Sequence, residues 1–276
     1  MNIVYAGNYK VFDGLLISLL SLIEVNHEAV DVYVLTMDLT ELSDDYISIS
    51  QSDLNIIEKE LKKVNSKSRI IRIDVRGIFD KALASSKNLV NRYTPYALLR
   101  LLLDDIEIIP DKVLYLDTDT VINKTINELY SIDICNYEFA GVKDRYGRFF
   151  FNPWYCNTGV LLLNMKKIRE TGLLKKVVSL LNTKKVFLSD QTGLNKMATR
   201  KKIIARKYNE QKKVKPETVI RHFSMQFRLL PKFYFINVKP WNIDDVHNIY
   251  KCHEFDHIFT KYLEIKSVKE NYLNEN

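Results

Sequence analysis

Asp117 and Asp119 stand two residues apart at the end of the apolar run 113–116. In an extended chain alternate side chains point to the same side, so both carboxylates can face one point. Hard divalent cations prefer carboxylate oxygens, and the ligands of open α/β sheets gather at the carboxyl ends of the strands. The spacing therefore predicts a site where one Mg²⁺ or Mn²⁺ ion bridges two phosphates, with a plain acidic turn as the alternative.

Short apolar runs alternate with helical patterns over the first two thirds of the chain, which is typical of strand-helix-strand units around a mostly parallel sheet. Six runs rich in Val, Ile, Leu or aromatic residues are predicted strands: 3–6, 32–35, 70–73, 113–116, 139–142 and 160–164. Between them, apolar residues recur at helical spacing over 15–23 and 54–61, and these stripes are predicted to be core. The pattern predicts an α/β fold with the aspartates at one edge of its sheet.

The 276 residues, 46% of them hydrophobic, suffice for one α/β domain with appended elements. The pattern becomes less regular after about Lys201, and we expect a catalytic domain over residues 1–241 followed by a helical extension over 242–276. The longest apolar stretch, 14–25, is interrupted by polar residues and is too short to span a membrane. Because the chain starts without a secretory signal pattern and its three cysteines lack disulfide or zinc spacing, we expect a cytoplasmic location.

Residues 196–239 carry 13 Lys and Arg but 2 Asp and Glu, whereas the whole chain has a net charge of +7. Such a basic segment could face solvent, nucleic acid, a diphosphate ligand or anionic lipid. Five aromatic residues between the charges could act as interfacial anchors: Phe223, Phe227, Phe233, Tyr234 and Phe235. We therefore expect peripheral contact of this segment with the inner face of the plasma membrane, and no nucleic-acid partner.

Seven short segments follow one another along the chain: 5–9 (Tyr-Ala-Gly-Asn-Tyr), 96–100 (Tyr-Ala-Leu-Leu-Arg), 114–120 (Leu-Tyr-Leu-Asp-Thr-Asp-Thr), 156–164 (Cys-Asn-Thr-Gly-Val-Leu-Leu-Leu-Asn), 190–195 (Asp-Gln-Thr-Gly-Leu-Asn), 221–224 (Arg-His-Phe-Ser) and 239–241 (Lys-Pro-Trp). Their shared order resembles the family 8 retaining glycosyltransferases, which include the bacterial lipopolysaccharide α-galactosyltransferases and glycogenin. The resemblance covers about residues 1–241. It implies a single GT-A-type, Rossmann-like domain with a mostly parallel central sheet and a basic, aromatic C-terminal extension.

The resemblance also implies that His222 joins Asp117 and Asp119 as a metal ligand. Two carboxylates, one imidazole and two phosphate oxygens suit Mn²⁺, with Mg²⁺ as the other candidate. The ion would stabilise the charge of a leaving nucleoside diphosphate and fix its orientation. The implied activity is transfer of a hexose, galactose or glucose, from a UDP-sugar donor to a saccharide or glycolipid acceptor.

The same segments supply the implied donor-binding residues, which are Ala6, Asn8, Tyr9, Arg100, Asp117, Thr118, Asp119, Asp144, Asn157 and Lys239. The turn after the first strand presents backbone amides to a ligand, and Tyr9 could stack on the nucleobase while Asn8 pairs with its polar atoms. Arg100 and Lys239 would grip the diphosphate or an adjacent carboxylate. Asn157 would orient the sugar ring, and Asp144 would touch a sugar hydroxyl.

The implied reacting centre lies near Asp190 and Gln191, which are predicted to open a helix whose N-terminus favours negative charge. Capping of that helix by Ser189 and Asp190 is the alternative role. Retention of the anomeric configuration requires either a covalent intermediate or attack from the face of the leaving group. Because an amide is a poor nucleophile and an N-cap carboxylate is stabilised as an anion, we expect front-face attack, with the departing phosphate taking the acceptor proton.

The sequence is also compatible with two other classes of protein. Phosphatases of the haloacid dehalogenase type also carry Asp-x-Asp after an apolar strand, with Thr or Val two residues on, as at Val121, although their motif usually lies near the start of the chain. A noncatalytic basic module could bind anionic lipid or nucleic acid through residues 196–239. A dinucleotide-dependent oxidoreductase is disfavoured because Gly7 has no Gly-x-x-Gly continuation.

Overall fold

The computed structural model describes residues 1–89, 94–228 and 234–274. Eleven strands occur among these residues: β1 (Asn2–Ala6), β2 (Asp31–Thr36), β3 (Arg69–Asp74), β4 (Lys112–Leu116), β5 (Thr120–Ile122), β6 (Phe139–Lys143), β7 (Cys156–Asn164), β8 (Lys201–Ile203), β9 (Ile220–His222), β10 (Gln226–Arg228) and β11 (Tyr234–Ile236). Seven form one sheet in the order β3-β2-β1-β4-β7-β6-β8, and two short pairs, β5 with β9 and β10 with β11, lie outside it. β7 runs antiparallel to β4 and β6, whereas the other four pairs of the large sheet are parallel. The predicted α/β fold, its mostly parallel sheet and its six predicted strands are confirmed.

Ten α-helices occur in the described ranges: α1 (Phe12–Val25), α2 (Gln51–Val64), α3 (Arg76–Ala82), α4 (Asn127–Ser131), α5 (Gly147–Phe150), α6 (Met165–Thr171), α7 (Leu173–Thr183), α8 (Ser189–Met197), α9 (Ile243–Tyr250) and α10 (Asp256–Asn274). Three 3₁₀ helices are found at Tyr9–Val11, Pro95–Asp105 and Arg206–Tyr208. The apolar stripes predicted over 15–23 and 54–61 lie in α1 and α2 and are buried, as expected.

The large sheet is covered on both faces because its strands alternate between two hydrophobic cores. In β1, Ile3 and Tyr5 belong to one core and Val4 to the other, and all three are fully buried. Side chains of α1, α2 and α10 close the first core, and those of Pro95–Asp105, α6 and α7 close the second. Full burial of one large aliphatic side chain contributes about 1.5–3 kcal/mol, so these near-continuous apolar runs fix the register of the central strands.

The C-terminal helices pack against the first core. Phe255, Phe259 and Tyr262 are buried in the same cluster as α1, and Lys266 Nζ donates a hydrogen bond to Asp13 Oδ2 of α1 at 2.8 Å. The large sheet continues past residue 201, because β8 pairs with β6. The division into a catalytic domain and an extension at residue 242 stays a prediction. Of the helices in the described residues, none combines the length and the hydropathy that a bilayer span needs.

Candidate active site

The acid pair lies in the turn that joins β4 to β5, at the carboxyl end of a central strand. Asp119 is 7% exposed, and Asp117 is half-buried. Two backbone hydrogen bonds fix the turn: the Asp117 N–H donates to Gly159 O at 2.8 Å, and the Phe223 N–H donates to Asp119 O at 2.8 Å. Because Gly159 belongs to β7 and Phe223 directly follows β9, both carboxylates are held by elements distant in the sequence.

β9 brings His222 to the acid pair. The strand runs antiparallel to β5, and His222 lies opposite Thr120 in that register. His222 Nε2 is 3.1 Å from Asp119 Oδ1 and 3.7 Å from Asp117 Oδ2. One ligand atom from each of the three residues lies within 4.8 Å of the others. The structure therefore brings together the three residues predicted as ligands, and this donor set could hold one divalent metal ion.

The surroundings of the cluster suit a cation bound by carboxylates. A Cβ at Gly159 would lie 2.7 Å from Asp117 Oδ2 and would overlap the His222 ring, so only glycine leaves this space free. Burial raises the pKa of Asp119, but Lys239 and His222 outweigh that effect and hold the pKa well below its ordinary value. Lys239 Nζ is 2.5 Å from Asp119 Oδ2. Asp119 is therefore kept ionised, the state in which a carboxylate binds a metal.

Arg100 connects the acid pair to Asp190. It lies on the 3₁₀ helix Pro95–Asp105 and is 6% exposed. Its guanidinium donates to Asp117 Oδ1 at 2.7 Å and to Thr158 O at 2.6 Å. Its Nε atom is 3.2 Å from Asp190 Oδ2. The sequence left open whether Arg100 meets a diphosphate or a carboxylate; here its partners are two carboxylates, which it holds in fixed positions.

The turn before α8 has a left-handed backbone. α8 begins at Ser189, and its N-cap residue is Leu188, which has a φ of 55° and no capping side chain. The chain enters the helix one residue before Ser189, through a conformation that costs about 1 kcal/mol or more outside glycine, so neither Ser189 nor Asp190 is the N-cap residue. Capping of the first turn by these two side chains stays an alternative role. Burial raises the pKa of Asp190, Arg100 opposes this, and the pKa stays above its ordinary value.

A chain of hydrogen bonds runs from α8 to the end of β6. Gln191 Oε1 accepts from the Thr158 N–H at 3.2 Å and from Asn157 Nδ2 at 3.3 Å. Asn157 Nδ2 also donates to Asp144 Oδ2 at 3.0 Å, and Asp144 Oδ1 accepts from the Gly147 N–H at 2.6 Å. The side chains of three predicted site residues, from three separate parts of the chain, are thus connected.

Asn209 is a member of this network that sequence reasoning missed. It is fully buried, its Nδ2 donates to Asn157 Oδ1 at 2.9 Å, and its Oδ1 lies 3.1 Å from His222 Nδ1. A proton on Nδ1 would satisfy that contact and leave Nε2 available to ligate a metal ion. Asn209 therefore orients a predicted metal ligand and a predicted sugar ligand together. Its place in a lysine-rich segment carried no signal of this role.

The turn after β1 reaches the same edge of the sheet, because β1 is parallel to β4 and adjacent to it. Ala6 ends the strand and is half-buried, and Thr118 of the acidic turn is 9% exposed. Asn8 is 5% exposed and donates from Nδ2 to Asp45 O at 3.1 Å. Tyr9 keeps 39% exposure, and its hydroxyl donates to Asp45 Oδ1 at 3.3 Å. Asp45, which the sequence did not single out, thus positions both residues predicted to meet the base.

The aromatic residues of the basic segment are not all at the surface. Phe223 is fully buried in the first core, so the prediction that it anchors the chain at an interface is wrong. Its side chain supports the strand that carries His222 instead. Tyr234 and Phe235 are 42% and 44% exposed, and Phe227 is half-buried. Phe233 lies outside the described residues.

The order of the strands in the large, mostly parallel sheet is that of a GT-A-type fold, which solved structures of glycosyltransferases share. The sequence pattern of Glycosyl transferase family 8 matches residues 2–245. The chain belongs to this family, which confirms the resemblance seen in its seven sequence segments. The phosphatase and the noncatalytic basic module gain no support from these matches.

Solved structures share the fold over nearly the whole chain. The galactosyltransferase LgtC, in complex with donor and acceptor sugar analogues, aligns with a TM-score of 0.69 at 18% identity and covers 96% of both chains. The glycosyltransferase GlyE of Streptococcus pneumoniae TIGR4 aligns with a TM-score of 0.64 at 20% identity, covering 97% of this chain and 64% of GlyE. At these identities the likeness shows the fold.

Curated relatives match parts of the sequence. GlyA of Streptococcus pneumoniae serotype 4 is 37% identical over 87 residues, which is 31% of this chain and 12% of GlyA. GlyF of the same strain is 26% identical over 168 residues, which is 60% of this chain and 38% of GlyF. The matched segments thus span well under half of the length of either relative.

Proposed function

We propose that this chain transfers a hexose, galactose or glucose, from a UDP-sugar to a saccharide or glycolipid acceptor with retention of the anomeric configuration. The observation that carries the proposal is the convergence of Asp117, Asp119 and His222 on one point. Two cations lie beside these residues, since Arg100 contacts Asp117 and Lys239 contacts Asp119. Such a set of charges suits a pyrophosphate leaving group.

The mixed oxygen and nitrogen donors of Asp117, Asp119 and His222 fit Mn²⁺ well and Mg²⁺ as the second choice. When bound, the ion would supply Lewis-acid stabilisation of the charge that develops on the diphosphate. Lys239 is placed at Asp119 to bind a phosphate oxygen of the same leaving group. Arg100 contributes by holding Asp117 in position for ligation.

Ala6, Asn8 and Tyr9 are proposed to bind the uridine, because their turn lies at the same sheet edge as the acid pair. The exposed ring of Tyr9 offers a face on which the base can stack. Thr118 lies between the two aspartates and would contact the ribose or the first phosphate. Asp45 fixes this arrangement through Asn8 and Tyr9.

The sugar would meet Asp144 and Asn157, which are already bonded to each other. In the proposed reaction the bond between the anomeric carbon and the phosphate oxygen breaks, and the acceptor oxygen attacks from the same face. The acceptor proton passes to the departing phosphate oxygen. Asp190 is engaged by Arg100, and Gln191 presents an amide, so both are proposed to position the sugar rather than attack it.

Gln191→Ala should retain measurable turnover, because the amide is proposed to position the sugar and to form no bond with it. We expect kcat to fall by about 10–100-fold, the scale of a lost orienting hydrogen bond. Steady-state kinetics measures the change, with the exposed Gln51→Ala as the control. Isolation of a glycosyl group covalently attached to the unaltered chain would contradict front-face attack.

Asn209→Ala should weaken Mn²⁺-dependent binding of UDP by about 10–100-fold, the usual cost of removing the partner of a metal-ligating histidine. Asn209→Asp keeps an acceptor oxygen beside His222 Nδ1 but loses the Nδ2 donor to Asn157, so it should retain more affinity than Asn209→Ala. Isothermal titration calorimetry measures both variants, with the exposed Asn248→Ala as the control. Unchanged affinity in Asn209→Ala would show that His222 needs no help from this residue.

We further propose that residues 1–241 form the catalytic unit and residues 242–276 a helical extension of it. The basic segment 196–239 is proposed to contact the inner face of the plasma membrane peripherally. Exposed Tyr234 and Phe235 support that contact, since aromatic residues beside positive charge bind at lipid interfaces.

A screen of nucleotide-sugars for hydrolysis in the presence of Mn²⁺ tests the proposed function. We expect UDP-galactose or UDP-glucose to be hydrolysed, and p-nitrophenyl phosphate with Mg²⁺ to be left intact. Cleavage of p-nitrophenyl phosphate without hydrolysis of any nucleotide-sugar would overturn the proposal in favour of a phosphatase.

A further inference from the structure

A second cluster of metal-ligating side chains lies where α9 passes into α10. His247 stands in the last turn of α9, His253 in the connecting loop and Asp256 at the start of α10. His247 Nε2 is 2.7 Å from Asp256 Oδ1, and His253 Nδ1 is 3.2 Å from Asp256 Oδ2. The ligand atoms of the three residues lie within 4.8 Å of one another. None of these residues belongs to the candidate active site.

The backbone around the cluster is fixed by buried neighbours. Lys251 ends α9 in a left-handed conformation with a φ of 52°, which turns the chain back toward the helix. Cys252 and Phe255 are 7% and 1% exposed and anchor the loop in the first core. His253 lies between these two residues and Asp256 follows them, so both side chains face outward from a backbone that is held by packing. The cluster would need little rearrangement to bind a metal ion.

The two imidazoles lie against each other, with ring centroids 4.4 Å apart and an angle of 23° between the planes. Both rings contact the carboxylate of Asp256, so two imidazole nitrogens and one carboxylate lie close together. The surrounding segment 242–256 contains four acidic residues and one lysine, in a chain whose net charge is +7. This excess of negative charge near the cluster favours a bound cation.

We propose that His247, His253 and Asp256 bind one divalent transition-metal ion such as Zn²⁺. Two imidazoles and one carboxylate prefer such an ion to Mg²⁺ or Ca²⁺, which favour oxygen ligands. Tetrahedral coordination with bonds of about 2.0–2.2 Å places neighbouring ligand atoms about 3.4 Å apart. The two contacts with Asp256, at 2.7 and 3.2 Å, would therefore open by less than 1 Å. The fourth position would be taken by water.

The ion would tie α9 to α10, and through α10 it would stabilise the packing on α1, where Lys266 bonds to Asp13. This site is independent of sugar transfer. Its donor set also differs from that of the acid pair, which has two carboxylates and one imidazole. Zn²⁺ should therefore bind at both sites, whereas Mg²⁺ should bind at the acid pair alone.

Isothermal titration of the full chain with Zn²⁺ tests the proposal. We expect two saturable sites in the unaltered chain, and one each in His253→Ala and in Asp119→Asn. His257→Ala removes an exposed histidine next to Asp256 that is outside the cluster, and it should keep both sites. The proposal is overturned if His253→Ala binds as many Zn²⁺ ions as the unaltered chain, or if His257→Ala loses a site as His253→Ala does.

Circular dichroism and thermal unfolding give a second readout. Because His253 is 63% exposed, His253→Ala should fold like the unaltered chain without metal. Zn²⁺ should raise the unfolding temperature of Asp119→Asn but not that of the double variant Asp119→Asn with His253→Ala. An equal rise in both would contradict the site. Neither readout involves UDP or transferase activity, so its outcome is separate from that of the proposed function.

Discussion

Asp119→Asn should abolish sugar transfer, lowering kcat/KM by about 10³-fold or more. The substitution preserves the shape of the side chain but removes the charge that would hold the metal, and losing several kcal/mol of stabilisation of the leaving group corresponds to this factor. Asp119 contacts both the predicted metal ligand His222 and Lys239, the cation proposed to bind the leaving group. Transfer from UDP-galactose or UDP-glucose with Mn²⁺ is the measurement.

Asp44→Asn is the matched control, because Asp44 is exposed and lies outside the site. It should retain the activity of the unaltered chain. Lys239→Met is a useful companion: it removes the cation at Asp119 but leaves the three metal ligands, so it should lower the rate while Mn²⁺-dependent UDP binding persists. Full activity of Asp119→Asn would show that the carboxylate pair takes no part in the chemistry.

Arg100→Met should be the most destabilising substitution at the site as well as an inactivating one. The guanidinium is 7% exposed and compensates two carboxylates, Asp117 and Asp190, of which Asp190 is 10% exposed. Removing one partner of a buried ion pair leaves uncompensated charge and costs about 3–5 kcal/mol; because Asp117 is 28% exposed, we expect a loss near the lower end, about 3 kcal/mol. Urea unfolding at pH 7 measures the free energy of unfolding.

Arg169→Met provides the comparison. Arg169 pairs with Asp111 at 3.2 Å, but the two side chains are 32% and 72% exposed, and such surface pairs contribute about 0–1 kcal/mol. Arg100→Lys should rescue little, because one ammonium cannot reproduce the fork that binds Asp117, Asp190 and Thr158 O together. If Arg100→Met unfolds at the same urea concentration as Arg169→Met, the buried ion-pair network contributes no stability.

The strands could be predicted because a strand that is buried on both faces needs a continuous run of apolar residues. β1 and β4 are covered on both faces, so every residue from Ile3 to Tyr5 and from Val113 to Leu116 is apolar or aromatic. Helical spacing in α1 and α2 followed from the same requirement. The antiparallel direction of β7 was not predictable, because an apolar run looks the same in either direction.

The acid pair was visible because its two members are close in sequence, but the rest of the site depends on tertiary contacts. Nothing in the linear sequence links Arg100 to Asp190, and only the resemblance pointed to His222. Asn209 escaped notice because a buried amide has no spacing pattern of its own. Its partners, Asn157 and His222, come from different strands.

The composition of the basic segment does not predict which of its residues are exposed. Its sequence suggested a uniform surface of positive charge and aromatic anchors. In the structure, Phe223 is part of the core and Arg221 is 1% exposed, because β9 must pack against β5 to carry His222 to the acid pair. Residues of this one segment thus lie both in the interior and at the surface.

Asp117, Asp119 and His222 are proposed to bind one ion on which nucleotide binding depends. Isothermal titration of UDP into the unaltered chain, with and without Mn²⁺, tests it most directly. We expect saturable binding of UDP with Mn²⁺, a loss of at least about tenfold in affinity without it, and the same loss in His222→Ala with Mn²⁺ present. Binding of UDP with equal affinity in the presence and absence of Mn²⁺ would contradict it.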